Sequence, residues 1–425
     1  MKIEAETLGN LITIEAAIIL ITLTFILLPE IDIPFIKVNL LNLLIPLLPL
    51  LYFLIQKESF KNIITLFKNE IIIALLFYLY VISLSIFSPF PLTALKYSFK
   101  LLEFLPVFIL SLMLFSKKDQ IYILILFVGI LLCLLNIILF IYPQLYKNIF
   151  YERPSTYPRT QSLVGHPNPF AFSLLIFLLI LFSFLKENKI SNKGFMLIYI
   201  LFVANLILTG SKNIFIVFIL VSLYFIYDLM RYKQKFTPFF VLLVLLISSI
   251  LFYSFWIRPI TGLWSKVMNI FLNEPQKEQI VKEIPIKYSS EAYQGGSIGL
   301  RGEIYKKALE IIKEFPLGIG PYVFQSEILK NHPLMIRIFG EGAKSLNAHN
   351  IILQTWLDFG LISFLLILGI IYLIMKTKFF LKDYWIILLI SNLGDYFLNN
   401  PFILYLTIIF LGFSLGELKY EKNSN

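Results

Sequence analysis

Charge is what this chain has least of. Only 15% of its 425 residues are Asp, Glu, Lys or Arg, where a water-soluble globule carries about a quarter. Cysteine is nearly absent: the single Cys133 sits in an apolar run, which excludes an intrachain disulfide and a thiolate metal cluster. The first ten residues, MKIEAETLGN, carry two acids and one Lys. They lack the basic n-region of a cleaved signal peptide, so the first apolar run is expected to be retained as a span. No repeat of fixed period and no low-complexity linker occurs, so the polytopic core is read as one unit. With 58% hydrophobic residues and a mean hydropathy of +0.83, the composition excludes both disorder and a soluble enzyme with one anchor. The net charge of +10 would suggest nucleic acid in a soluble protein. In a polytopic one it first raises the question of which side the cations occupy, and no nucleic-acid partner is read from it.

What is present is a series of long apolar runs. Windows of the roughly 17 to 25 residues that cross a bilayer mark spans at 12–28, 38–55, 71–87, 101–115, 121–142, 169–185, 194–209, 213–228, 238–256, 349–375, 384–398 and 401–416. The expected fold class is all-α, a polytopic membrane protein with about 12 transmembrane helices. If the N-terminus is cytoplasmic, the inside segments hold 17 Lys and Arg, and the short outside loops hold seven: Lys37, Lys96, Lys100, Lys147, Arg153, Arg159 and Lys212. That asymmetry predicts that both termini are cytoplasmic.

The other twelve cations lie in 258–348, a loop too long to obey the rule. The expected organisation is therefore spans one to nine in 1–257, an external loop in 258–348, and spans ten to twelve with a short tail in 349–425. Within the loop, Ile304, Ala308, Ile311 and Phe315 recur at helical spacing opposite Lys and Glu, predicting an amphipathic helix near 301–315. Pro316 ends it, and Gly318 and Gly320 then supply a turn in which positive φ is available. Of six arginines, Arg153, Arg159, Arg258, Arg301 and Arg337 fall outside. A guanidinium grips phosphate or carboxylate with two parallel hydrogen bonds, so this bias suggests an external anionic ligand. Pairing with the loop's own Glu residues is the alternative.

Three clusters carry residues able to do chemistry. In NAHNIILQTWLDFG, His349 opens the tenth span, with Asn350, Gln354 and Asp358 forming a polar stripe one turn apart. A continuous helix over 349–375 reaches about 40 Å against an apolar core of about 30 Å. Its first turns therefore project outward, where a neutral imidazole can take a proton from a hydroxyl; a plain polar helix start is the other reading. In GHPNP, Asn168 reads as an N-cap with Pro169 at the first helical position, and His166 either caps or lines the mouth, with a direct role as the alternative. In LTGSKN, Lys212 sits in a tight external hairpin, either as a snorkelling residue or as an anion contact. His332, in KNHPLM, reads as a solvated loop residue.

TGSK, then SIGLRGEIYKKALEIIKEFPLGIGP, then NAHNIILQTWLDFGLISF resemble in order and spacing the signature of the O-antigen ligase superfamily, which includes O-antigen polymerases and protein O-oligosaccharyltransferases. The most specific part is Arg301 with the Pro-Leu-Gly-x-Gly-Pro turn and His-Asn followed by Leu353 and Gly360. The resemblance implies a bacterial inner-membrane enzyme with a large periplasmic loop between spans nine and ten. Such an enzyme moves a glycan from undecaprenyl diphosphate to an acceptor hydroxyl and needs no cofactor, metal or nucleotide. It implies His349 and Arg301 as catalytic residues, with Arg301, Lys212, Arg159, Arg153 and Lys100 on the diphosphate, and Asn350, His166, Asn168, Gly318 and Gly320 in support. Lys212 departs from the arginine usual in this hairpin, keeping the charge and losing the fork.

The chemistry follows from these parts. Fixed cations would stabilise the departing diphosphate, and His349 would deprotonate the acceptor, with inversion at the anomeric carbon. No His, Asp and Glu set has metal-ligand spacing in the outer loops, consistent with metal independence. The expected activity is O-antigen ligation to lipid A-core, with O-antigen polymerisation as the alternative. A transporter of polyprenyl-linked glycan is a further one; against it, Glu15, Glu103 and Asp395 fall near span ends, away from a midplane pathway.

Overall fold

In a computed structural model of the chain, the described residues are 30–33, 36–39, 57–102, 104–142, 162–164, 166–231, 236–253, 296–329, 331, 348–398 and 400–424. The first two expected spans lie outside them, except for residues 38–39. These belong to a small hairpin in which β1 (Glu30–Ile33) pairs antiparallel with β2 (Ile36–Asn39). Every other regular element among the described residues is helical.

In order these are α1 (Lys57–Leu66), α2 (Lys68–Ile86), α3 (Pro91–Leu101), α4 (Phe104–Leu114), α5 (Lys118–Ile141), α6 (Pro167–Lys186) and α7 (Asn192–Thr209). Then come α8 (Lys212–Arg231), α9 (Phe236–Phe252), α10 (Gly296–Glu314), α11 (Ile351–Phe359), α12 (Ser363–Lys376), α13 (Phe379–Gly394) and α14 (Pro401–Ser424). Seven stretches among the described residues are long and apolar enough to cross a membrane, one of them the run Pro91–Ile141 that contains α3 to α5. The protein is thus an all-α, multi-pass membrane protein.

Two elements differ from the sequence expectation. Residues 91–101 were expected in an external loop and instead form α3, started by Pro91 in the first turn, where a missing N–H costs nothing. Ala94 and Ser98, one turn apart, are buried, and Ser98 Oγ lies 2.6 Å from Ser85 Oγ of α2. The expected continuous tenth span is broken: α11 stops at Phe359, Gly360 turns through φ +63°, and a single 3₁₀ turn leads into α12.

The chain forms two compact units, Met1–Leu124 with Arg301–Asn425, and Ile125–Leu300. In the first, α14 packs along α4. Glycines make the approach possible: a Cβ on Gly412 would overlap Ser111, and one on Gly416 would overlap the Phe115 ring. Near the end of α14, Lys419 Nζ bonds Glu70 Oε1 of α2 at 2.7 Å. In the second unit, α6 is apolar on every side and almost wholly buried, the pattern of a central helix. Phe182 of α6 stacks on Phe225 of α8 with centroids 3.9 Å apart, and Phe177 contacts Phe202 of α7. A buried amide pair, Asn136 Nδ2 to Asn205 Oδ1 at 2.8 Å, links α5 to α7, and Asn136 Oδ1 also accepts from Ser162 N.

Candidate active site around His349

The site in the first unit is built on the two ends of the helix break. Breaking a helix orphans the last carbonyls of one half and the first amides of the next. Here the turn after α10 and a tyrosine of α2 each satisfy one of these carbonyls. Ile319 N donates to Leu357 O at 2.7 Å, and Tyr80 OH of α2 donates to Phe359 O at 2.8 Å. Trp356 Nε1 in turn donates to Pro316 O at 3.0 Å. The fit demands glycine on both sides: a Cβ on Gly360 would lie 2.0 Å from Leu317 O, and one on Gly318 (φ +90°) would lie 2.6 Å from Gly360 N. Gly320, also at positive φ, closes against Ala94. Gly318 and Gly320 therefore hold α11 in place through backbone shape.

At the other end of α11, Asn350 is the N-cap. Its Oδ1 accepts from Ile352 N and Leu353 N, and its Nδ2 donates to Leu393 O at the end of α13. One side chain thus fixes the start of α11 against the end of α13. That junction places His349 beside Asp395, with Nδ1 2.8 Å from Oδ1. The Asp395 side chain is only 8% exposed, against 21% for His349. The same oxygen accepts from Tyr396 N, and Asn392 Oδ1 receives Phe397 N, so the carboxylate rests on a pinned turn. A carboxylate at Nδ1 favours the Nδ1–H tautomer and makes Nε2 the basic nitrogen.

His349 itself adopts φ +50°, a left-handed conformation costing of order 1–3 kcal/mol for a residue with a Cβ. Of the expected polar stripe, Gln354 and Asp358 remain paired, Gln354 Nε2 donating to Asp358 Oδ1 at 3.0 Å. Gln354 Oε1 accepts from Ala348 N, and Asp358 Oδ1 accepts from Tyr322 N. Asn350 leaves the stripe to act as the cap. Arg301 is half-exposed on α10, one turn from Tyr305, whose hydroxyl donates to His349 O at 3.2 Å. α10 starts at Gly296, earlier than the 301–315 pattern; Ile304, Ala308 and Ile311 are buried on it.

The remaining candidates are placed as follows. Lys100 is exposed in the last turn of α3, in the first unit. In the second unit, Gly210 (φ +61°) caps α7 and Lys212, exposed, opens α8. His166 is exposed and replaces Asn168 as the expected N-cap: its Nδ1 accepts from Asn168 N at 3.3 Å, and Pro167 takes the first helical position. Both Pro167 and Pro169 fit because first-turn amides have no helical acceptor. Arg153, Arg159, Arg258, Arg337 and His332 lie outside the described residues. Asp395 is the residue that sequence reasoning undervalued. An acid at the end of an apolar span, after Asn-Leu-Gly, was its only local signal.

Among the described residues no three His, Cys, Asp or Glu side chains form a metal-ligand set. The arrangement offers a part-buried carboxylate–imidazole pair, backbone clamps, and Arg301 on the helix whose Tyr305 touches His349, parts suited to proton abstraction.

A family model described as O-antigen ligase matches residues 195–368, which include Lys212, Arg301, Gly318, Gly320, His349 and Asn350. That stretch is therefore similar to the O-antigen ligase family, in line with the resemblance of its motifs. No curated protein and no solved structure matches it. In broad terms the protein is a membrane-embedded, glycosyltransferase-like enzyme with an O-antigen ligase or polymerase type of function, in a family that implies lipid-linked glycan substrates.

Proposed function

We propose that this protein transfers a glycan from undecaprenyl diphosphate to an acceptor hydroxyl on the periplasmic side of the inner membrane, ligating O-antigen to lipid A-core. The observation that carries the proposal is the His349–Asp395 pair on the unit that also holds Arg301. His349 Nε2 takes the proton of the acceptor hydroxyl while Asp395 stabilises the imidazolium. The acceptor oxygen bonds to the anomeric carbon from the face opposite the leaving group, and the bond from that carbon to the diphosphate oxygen breaks. Undecaprenyl diphosphate departs, its charge stabilised by Arg301, and the anomeric configuration inverts. No metal takes part in these steps. For Lys212, Lys100, Arg153 and Arg159, a role on the diphosphate rests on the resemblance alone. There, Lys212→Arg is expected to keep or raise activity and Arg301→Lys to lose much of it.

The deciding experiment is the surface-glycan gel of a strain lacking the protein. Loss of all capped lipid A-core with accumulation of lipid-linked polymer is expected. A single repeat on the core would assign polymerisation, and an unchanged profile would refute both. Reporters at Lys189 or Lys378 should read as cytoplasmic and one within 275–295 as periplasmic; a cytoplasmic reading for the loop would place Arg301 on the wrong side.

A further inference from the structure

The strained turn at His349 is held on both sides, at the amide of the preceding residue and at its own carbonyl. On one side the buried Ala348 N donates to Gln354 Oε1 at 2.8 Å, a contact supplied by the helix that follows. On the other, the His349 carbonyl accepts from Tyr305 OH at 3.2 Å, a contact supplied by a helix 44 residues earlier in the chain. A left-handed histidine persists only where its surroundings over-determine it. Gln354 cannot respond to anything outside α11 and its neighbours, whereas Tyr305 moves with α10. Four residues apart, Arg301 and Tyr305 share a helix face.

We propose that Tyr305 is a positioning residue for His349, so that the alignment of the base depends on the docking of α10, the helix that carries Arg301. The inference rests on the transfer reading given above and adds a coupling to it. An anion that settles α10 through Arg301 also sets the hydroxyl of Tyr305 against the His349 carbonyl. The imidazole is then presented against Asp395 when the donor is in place. Without the phenolic oxygen, the turn is free to relax to negative φ and the ring to leave its productive orientation, while Arg301 keeps its own position on the helix.

The test uses the full-length protein in lipid nanodiscs. The donor is the undecaprenyl-diphosphate-linked glycan extracted from the cells that make it, and the acceptor is lipid A-core from the same cells. Tyr305→Phe is expected to lower kcat about 10-fold while the donor KM stays within about twofold, and to add less than about twofold to the loss in His349→Asn. A parental kcat, a raised KM with unchanged kcat, or an equal loss on the His349→Asn background each overturns the proposal, the last by showing a purely structural effect. If His349→Asn transfers normally, the transfer reading fails and takes this inference with it. If His349→Asn is inactive and Tyr305→Phe is parental, the inference alone fails. A second measurement needs no turnover: the rate at which diethyl pyrocarbonate modifies His349, read on its own peptide by mass spectrometry. Tyr305→Phe should raise it severalfold with His166 unchanged, and an unaltered His349 rate would overturn the proposal.

Discussion

Among the described residues two histidines stand at helix starts, and they are employed in opposite ways. His166 uses Nδ1 to cap its own helix, accepting from Asn168 N in extended backbone at φ −154°. His349 does not cap: the next residue, Asn350, does that work, and His349 is turned to φ +50° with Nδ1 against a buried carboxylate. The difference lies in which residue carries the cap. Transferring the cap to a neighbour releases the imidazole from local duty, and a distant acid then takes over its orientation.

The comparison breaks most visibly at His349. His349→Asn should lower transfer by about 10² to 10⁴-fold, the range of a positioned general base, while the protein still extracts and binds donor; near-parental transfer would make the two histidines equivalent after all. Asp395→Asn keeps a similar shape but removes the charge behind the ring. A loss of about 10- to 100-fold in kcat is expected, with donor binding unchanged; equal loss in binding would mean that Asp395 shapes the donor site. Gln354→Met leaves the Ala348 N–H buried without its acceptor, at a cost of about 1–3 kcal/mol. It should show a lowered melting temperature together with a smaller fall in transfer. The smallest effect belongs to His166: Asn is among the best caps, so His166→Asn should change melting very little, and His166→Ala should lose about 1 kcal/mol. A loss of transfer in His166→Asn comparable to that in His349→Asn would show chemistry at the second histidine as well.

Much of this architecture was legible in the chain. The apolar runs and the 301–315 spacing depend on local periodicity, which is why α10 and most spans can be read directly. His349, Asn350, Gly318 and Gly320 were legible as a motif, although the resemblance said nothing of what each contacts. The break at Gly360 was hidden because Leu361 and Ile362 continue the apolar run without interruption, and only the docking of the 316–322 turn reveals why glycine is needed. The helix α3 was hidden by its lysines, Lys96 and Lys100, which look like loop residues when its buried Ala94 and Ser98 face is not considered. Asp395 was the least legible, since its partner lies 46 residues away and no local pattern joins them.

The interleaving of the two units has a consequence for synthesis. Ile125–Leu300 is one uninterrupted stretch, whereas its counterpart draws on both Met1–Leu124 and Arg301–Asn425. As the ribosome feeds the membrane, the phenylalanine-lined bundle around α6 has all its parts as soon as Leu300 emerges. The unit with His349 must wait, with α4 unclothed until α14 arrives and lays Gly412 and Gly416 against it. Arg301, His349 and Asp395 all come after Leu300 in the chain. A polypeptide interrupted between Leu300 and Asp395 therefore has every segment of the bundle around α6 and lacks the His349–Asp395 pair.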